Sequence, residues 1–146
     1  MPSPLSSSAE AVQRARRLVL RHGWNATAYQ ILNPGIRLWF SAAGDAVVGW
    51  VRGAGTRVVA GAPVASEPRL VAVAIEFEKD AERSGDEVCY FGAGQRLEAL
   101  YRDSPRHAMV LLGAQPVWNP TRWPERVRAH GSLRAQLHRA RNKGVR

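Results

Sequence analysis

The stretch from Ile36 to Ala60, IRLWFSAAGDAVVGWVRGAGTRVVA, decides how this chain folds. It holds three apolar runs, Ile36 to Phe40, Ala46 to Val51 and Arg57 to Ala60. They are rich in Val and Trp, side chains that suit a half-buried pleated surface. Gly44-Asp45 and Gly53-Ala54-Gly55 separate the runs, and Asn33-Pro34-Gly35 turns the chain just before the first. Links this short join antiparallel neighbours, because a parallel return needs a crossover of a dozen or more residues. The reading is a three-stranded antiparallel meander.

On the C-terminal side the period changes from two to 3.6 at Glu67. Leu70, Val73, Ala74, Phe77 and Ala81 fall on one side of a helix, with Glu76, Lys79, Asp80 and Arg83 outward and Pro68 suited to its first turn. A strand from Val88 to Phe91, a helix from Gln95 to Tyr101 and a strand from Ala108 to Leu112 follow. Trp118-Asn119-Pro120 and Trp123-Pro124 then interrupt regular structure. The last element is a helix from Ser132 to Lys143, with Ser132 as cap, Leu133, Leu137 and Ala140 inward and Gly144 as terminator. On the N-terminal side, residues 1–7 form a disordered Pro/Ser-rich lead. Ser7 and Glu10 have capping-box spacing for a first helix that turns Val12, Ala15 and Val19 inward, with Leu18 beside them, and ends near Gly23, with Arg14, Arg17 and Arg21 on a solvated face. The expected fold is therefore α/β, with a mixed sheet flanked by helices in one domain over residues 8–146.

The composition agrees with one folded domain. The chain has 146 residues, 45% of them apolar, enough for one core and too few to expect two. A lone Cys89 excludes an internal disulfide framework, and its place between Val88 and Tyr90 reads as a small core residue. No Cys/His spacing matches a structural zinc site. No apolar stretch approaches the roughly 20 residues that span a bilayer, and the N-terminus lacks the apolar core of a secretory signal. These features read as a cytoplasmic chain.

Net charge is +9, and Arg supplies 19 of the 21 basic residues. Residues 122–146 hold eight Lys/Arg against Glu125 alone, so nearly all the excess sits in the last 25 residues. Arg134, His138 and Arg141 recur at helical spacing on one face, with Arg139 and Lys143 nearby. Such a stripe suits phosphate, because a guanidinium is a planar, weakly hydrated fork. A solvated helix face is the other reading. Trp39 and Trp50 read as core, while Trp118 and Trp123 suit a groove or a lipid interface. Gly92-Ala93-Gly94 and Gly61-Ala62-Pro63 read as tight strand-to-helix turns, lacking the full glycine pattern of a dinucleotide or P-loop site. His22, His107, His130 and His138 form no recognisable triad or metal set, and no spacing pairs them with a nucleophile.

Three strings together carry a family resemblance. They are GIRLWFSAAGDAVVGWVRGAGTRVVAGAPVAS, then EVCYFGAG followed by LEALYRD, and SLRAQLHRARNKGV. They resemble the first half of the catalytic region of the lysylphosphatidylglycerol synthases, the multiple-peptide-resistance aminoacyltransferases. The basic last string, close to Leu-Arg-Gln-x-x-x-Arg-x-x-x-x-Gly, is the most specific. The resemblance implies an acetyltransferase-like (GNAT) repeat, the first of a tandem pair. It also implies transfer of an aminoacyl group from aminoacyl-tRNA to phosphatidylglycerol without a metal or redox cofactor. The implied partners are aminoacyl-tRNA, an anionic phospholipid and a second GNAT-like repeat; nothing in the residues bears on oligomeric state. The implied location is the cytoplasm, at the inner membrane face where a parent protein carries transmembrane helices. Arg134, His138, Arg139, Arg141 and Lys143 become the expected substrate-phosphate contacts, and no catalytic residue is assigned. Two departures accompany the match. Gly61-Ala62-Pro63-Val64 stands where the family motif reads Gly-Asp-Pro-Val, and the chain stops at Arg146, so the expectation is a half-enzyme inactive alone. The alternatives are an acyl-CoA-dependent N-acyltransferase and a non-enzymatic module binding nucleic acid or acidic lipid.

Overall fold

The structure, a computed structural model, describes residues 4–114 and 119–145. It divides into two compact units, Met1–Val110 and Leu111–Arg146.

In the first unit the meander forms as its turns dictate. Strand β1 (Arg37–Phe40) pairs antiparallel with β2 (Val47–Gly53), and β2 pairs antiparallel with β3 (Thr56–Ala60). The second hairpin closes through Ala54 and Gly55 at φ 49° and 76°, the two left-handed residues that match a two-residue turn to strand twist. A short 3-10 turn (Glu67–Arg69) and helix α2 (Leu70–Arg83) carry the chain over to β4 (Glu87–Phe91), which lies parallel to β3. The four-stranded sheet is mixed, in the order β1-β2-β3-β4. Helix α3 (Gln95–Tyr101) follows with the expected bounds.

Each face of the sheet has its own core. Leu70, Val73, Ala74, Phe77 and Ala81 of α2 are buried as their spacing predicts. Phe77 and Val73 pack with Val48 and Val59, and Trp39, Trp50, Val88 and Tyr90 lie against that cluster. On the opposite face helix α1 (Pro4–His22) and a 3-10 segment (Ala26–Leu32) bury Ala15, Val19, Ala28 and Ile31 against Val47, Leu38 and Phe40. Gly49 is what lets that segment approach, since a Cβ there would sit 2.4 Å from the Cβ of Ile31. Helix α1 begins at Pro4, so Ser7 lies inside it and is not its N-cap.

Several further expectations need correction, among them Val12, expected inward on α1 but 36% exposed. Cys89 is exposed and not core: Val88 and Tyr90 face α2, so alternation turns Cys89 to the other face, where Val51 and Phe91 are also exposed. Ala108 to Leu112 forms no strand, and Val110 and Leu111 are 81% and 92% exposed. Its residues suit a strand, but a strand is stable only when its backbone groups pair with a neighbour. In the second unit, Trp123-Pro124 does not break the chain but opens helix α4 (Trp123–Ala129), where proline is tolerated in the first turn.

Helix α5 (Gly131–Asn142) begins ahead of Ser132, so Ser132 is not its cap. Its Leu133, Leu137 and Ala140 are not buried, and Leu137 is 39% exposed. Trp118 lies outside the described residues.

Two ionic ties brace the first unit. Asp45, in the β1–β2 turn, accepts from Arg69 Nε at 2.8 Å and from Ser41 Oγ at 2.8 Å. The Arg69 hydrogen bond first, then that from Ser41, holds the Asp45 carboxyl down to about 2. Asp86, just before β4, is likewise held below its usual range, chiefly by the hydrogen bond from Arg57. A carboxyl with a lowered folded-state pKa stabilises the fold above its ordinary value near 3.8 and loses that contribution as pH falls through the folded value. Thermal unfolding midpoints should therefore drop between about pH 4 and about pH 2, and Asp45→Asn should flatten that drop. An unchanged acid profile in the variant would remove Asp45 from the account.

Candidate functional site

Of the five residues expected to hold phosphate, Arg134, His138, Arg139 and Arg141 lie on α5 and Lys143 caps its C-terminal end, and all five are exposed. At about 100° per residue, Arg134, His138 and Arg141 form one row, whereas Arg139 and Lys143 form a second row on the far side. The structure therefore brings the five together on one helix but not onto one face. Leu133, Leu137 and Ala140 run between the rows.

Helix α4 ends at His130, whose extended backbone breaks the helix before α5 begins. Arg134 Nη1 then donates to the Arg128 carbonyl at 3.0 Å, tying the two helices. Arg139 Nε donates to the Ala135 carbonyl at 3.4 Å. Among the described residues none of these five side chains has an acidic partner. This unit offers eight basic side chains against the single carboxylate of Glu125, an arrangement that attracts phosphate-bearing ligands.

In the first unit, glycine turns follow both parallel strands at their C-terminal ends. Gly61 (φ 85°) donates to the Phe91 carbonyl at 2.8 Å, and Gly92 (φ 68°) begins the turn into α3. A Cβ at Gly94 would strike the Trp24 ring at 2.6 Å, so this glycine makes room for the indole. Arg96 lies over that ring at 5.1 Å. These turns act as close-packed junctions, as their sequence suggested. Trp39 and Trp50 also behave as core, each edge-on to Phe77.

One histidine meets a serine and a carboxylate. His107 Nδ1 lies 2.7 Å from Ser104 Oγ, and its Nε2 lies 3.4 Å from Glu78 Oε2. Glu78 comes from α2, and its other oxygen accepts from the Tyr90 hydroxyl of β4 at 3.0 Å and from the Tyr101 hydroxyl of α3. The His107 ring stacks on Tyr101, with centroids 3.8 Å apart. Burial, the largest cause, raises the pKa of both phenols, and the Glu78 charge adds to it; both hydroxyls therefore stay protonated as donors. The only local sign in the sequence is Ser104 three residues before His107. A turn stabilised by Ser104 N–H donating to the Tyr101 carbonyl at 3.0 Å makes that spacing a contact.

Among the described residues no group of three or more His, Cys, Asp or Glu is placed to hold a metal ion. No helix among the described residues is long and apolar enough to cross a membrane.

Comparison with known proteins bears directly on the cationic unit. The family model described as phosphatidylglycerol lysyltransferase, C-terminal, matches residues 9–146. The chain belongs to this family. Among solved structures it is similar to L-PGS from Bacillus licheniformis, with 25% identity and a TM-score of 0.55, covering 62% of this chain and 28% of that one. A C-terminal domain ascribed to a lysylphosphatidylglycerol synthetase of Agrobacterium fabrum shares its fold, at 21% identity and a TM-score of 0.56, covering 66% and 30%. The matched part thus spans less than a third of each solved relative. No curated protein matches the chain. At the turn after β3 of this phosphatidylglycerol lysyltransferase family member, Ala62 is 7% exposed and packs with Ala74, Leu97 and Tyr101. An aspartate there would need a partner that this apolar cluster does not supply.

Proposed function

We propose that this chain forms the first GNAT-like repeat of an aminoacyltransferase that moves an aminoacyl group from aminoacyl-tRNA to the glycerol hydroxyl of phosphatidylglycerol. The observation that carries the reading is the family match across residues 9–146, which includes both cationic rows of α5. Both reactants are polyanions, and the donor is already an activated ester. The enzyme therefore has mainly to bring a hydroxyl to a carbonyl and stabilise the charge that develops there. Arg134, His138 and Arg141 form a row suited to one phosphate-bearing reactant, and Arg139 and Lys143 a row suited to the other. The other partners are a second GNAT-like repeat and the inner face of the membrane. The matched part spans so little of its solved relatives that transfer is proposed to require that second repeat, leaving these 146 residues inactive alone.

The test is binding to charged tRNA across a salt series, read beside co-sedimentation with phosphatidylglycerol vesicles. Affinity for tRNA should fall steeply with salt, and Arg134→Gln or Arg139→Gln should each flatten the log-log slope by about one. A salt-independent tRNA affinity removes tRNA from the mechanism. Vesicle binding no stronger to phosphatidylglycerol than to phosphatidylcholine removes the lipid. Formation of aminoacyl-lipid by the isolated chain would overturn the requirement for a second repeat.

A further inference from the structure

The transfer reading leaves the Ser104–His107–Glu78 cluster without a task, although four elements of the first unit converge to build it. Glu78 comes from α2, Tyr90 from β4, Tyr101 from α3, and Ser104 and His107 from the turn after α3. We propose that Ser104 is a nucleophile that takes the acyl group of a carboxylic ester, with His107 as its general base and Glu78 holding the base in the working tautomer.

The argument starts from the carboxylate. A carboxylate can only accept hydrogen bonds, so the tautomer the proposal requires is the one with its ring proton on Nε2, the nitrogen that faces Glu78 Oε2 at 3.4 Å. The other nitrogen, Nδ1, then presents a lone pair to the Ser104 hydroxyl at 2.7 Å. That is the relation a serine nucleophile needs with its base, and the base with its orienting acid. It is recognised by geometry and roles, and either ring nitrogen can serve. Two phenols saturate Oε1 of Glu78, which leaves Oε2 for the histidine. Stacking on Tyr101 holds the ring plane.

The side chains of His107 and Glu78 are 25% and 24% exposed, shielded enough to strengthen the hydrogen bonds yet open enough for an ester to reach Ser104. A purely structural role would need less. The Ser104 hydroxyl already accepts from the Arg106 N–H at 3.4 Å, and that contact closes the turn without any histidine or carboxylate.

The step balances within these groups. Ser104 Oγ bonds to the ester carbonyl carbon as its proton passes to His107 Nδ1. The tetrahedral adduct then breaks the bond to the leaving oxygen, which takes that proton from Nδ1 and departs as an alcohol. The acyl group remains as an ester on Ser104, open to attack by water or another hydroxyl. The substrate class is a carboxylic ester, and the proposal does not rest on the transfer reading.

The test exposes the 146-residue chain to a fluorophosphonate probe and to p-nitrophenyl acetate, with adducts located by peptide mass spectrometry. The expected adduct is on Ser104 and is lost in Ser104→Ala. Its rate of formation should fall about 100-fold in His107→Gln and about 10-fold in Glu78→Gln, with unchanged circular dichroism. As a second arm, Ser104→Cys should be alkylated by iodoacetamide faster than the exposed Cys89, and His107→Gln should remove that advantage. Absence of any Ser104 adduct on the folded chain overturns the proposal, as does labelling equally fast in His107→Gln.

Discussion

Replacing Arg57 by methionine is expected to cost about 3 kcal/mol of stability, a large share of what holds a domain this size folded. Arg57 enters from β3 and is 5% exposed. Its guanidinium donates to Asp86 at 3.0 Å, to the Asp80 carboxylate at 2.7 Å, to the Asp80 carbonyl at 3.4 Å and to Ser84 Oγ at 2.8 Å. It also lies over the Trp50 ring at 4.6 Å. One side chain thus ties β3 to the end of α2 and to the start of β4, which is where the parallel crossover returns to the sheet. Methionine preserves most of the packing, so the loss isolates the guanidinium contacts, while Asp86 keeps Arg52 at 2.7 Å and Asp80 keeps Arg83 at 3.3 Å. Arg57→Lys should fall between the two, because an ammonium keeps the charge but cannot reproduce the fork. Urea unfolding followed by circular dichroism checks this. A shift of less than about 1 kcal/mol in the methionine variant would mean that water enters and solvates Asp86.

Phe77→Ala should cost about 3–5 kcal/mol. Phe77 is fully buried at the centre of α2 and meets Trp39 and Trp50 edge-on, with ring centroids 5.4 Å and 6.4 Å away. Removing the ring leaves a cavity under β1 and β2 that neighbouring side chains, anchored on strands, cannot close. Phe77→Leu fills most of that space and should cost less than half as much. The same urea titration measures both, and tryptophan emission should shift because two indoles lose their shared partner. Equal losses for alanine and leucine would point to a contact specific to the aromatic ring and not to volume.

Both variants act on the half of the molecule that the sequence describes best. The meander was legible because its turns are local chemistry: Gly53-Ala54-Gly55 supplies the positive φ values that a two-residue hairpin demands. Helix α2 was legible because burial of one face imposes a period, and the five residues on that period are the five that are buried. The 3-10 segment Ala26–Leu32 carried no such mark. It covers a sheet face through Ile31 and Ala28, and the fit depends on Gly49 across from it. The cationic helix was found from composition, yet its division into two rows belongs to the helix geometry.

By itself, then, the amino-acid order determined the meander, the amphipathic helix, the mixed α/β class and the concentration of positive charge near the C-terminus. Each of these depends on neighbours within a few residues or on simple composition. The tertiary structure alone decided that Ala108 to Leu112 stays unpaired, that Cys89 faces outward and that His107 meets Glu78. Those outcomes depend on which distant segment supplies a hydrogen-bond partner or a packed surface. Pairing between remote residues is set by the energy of the whole assembled core, which no local pattern encodes.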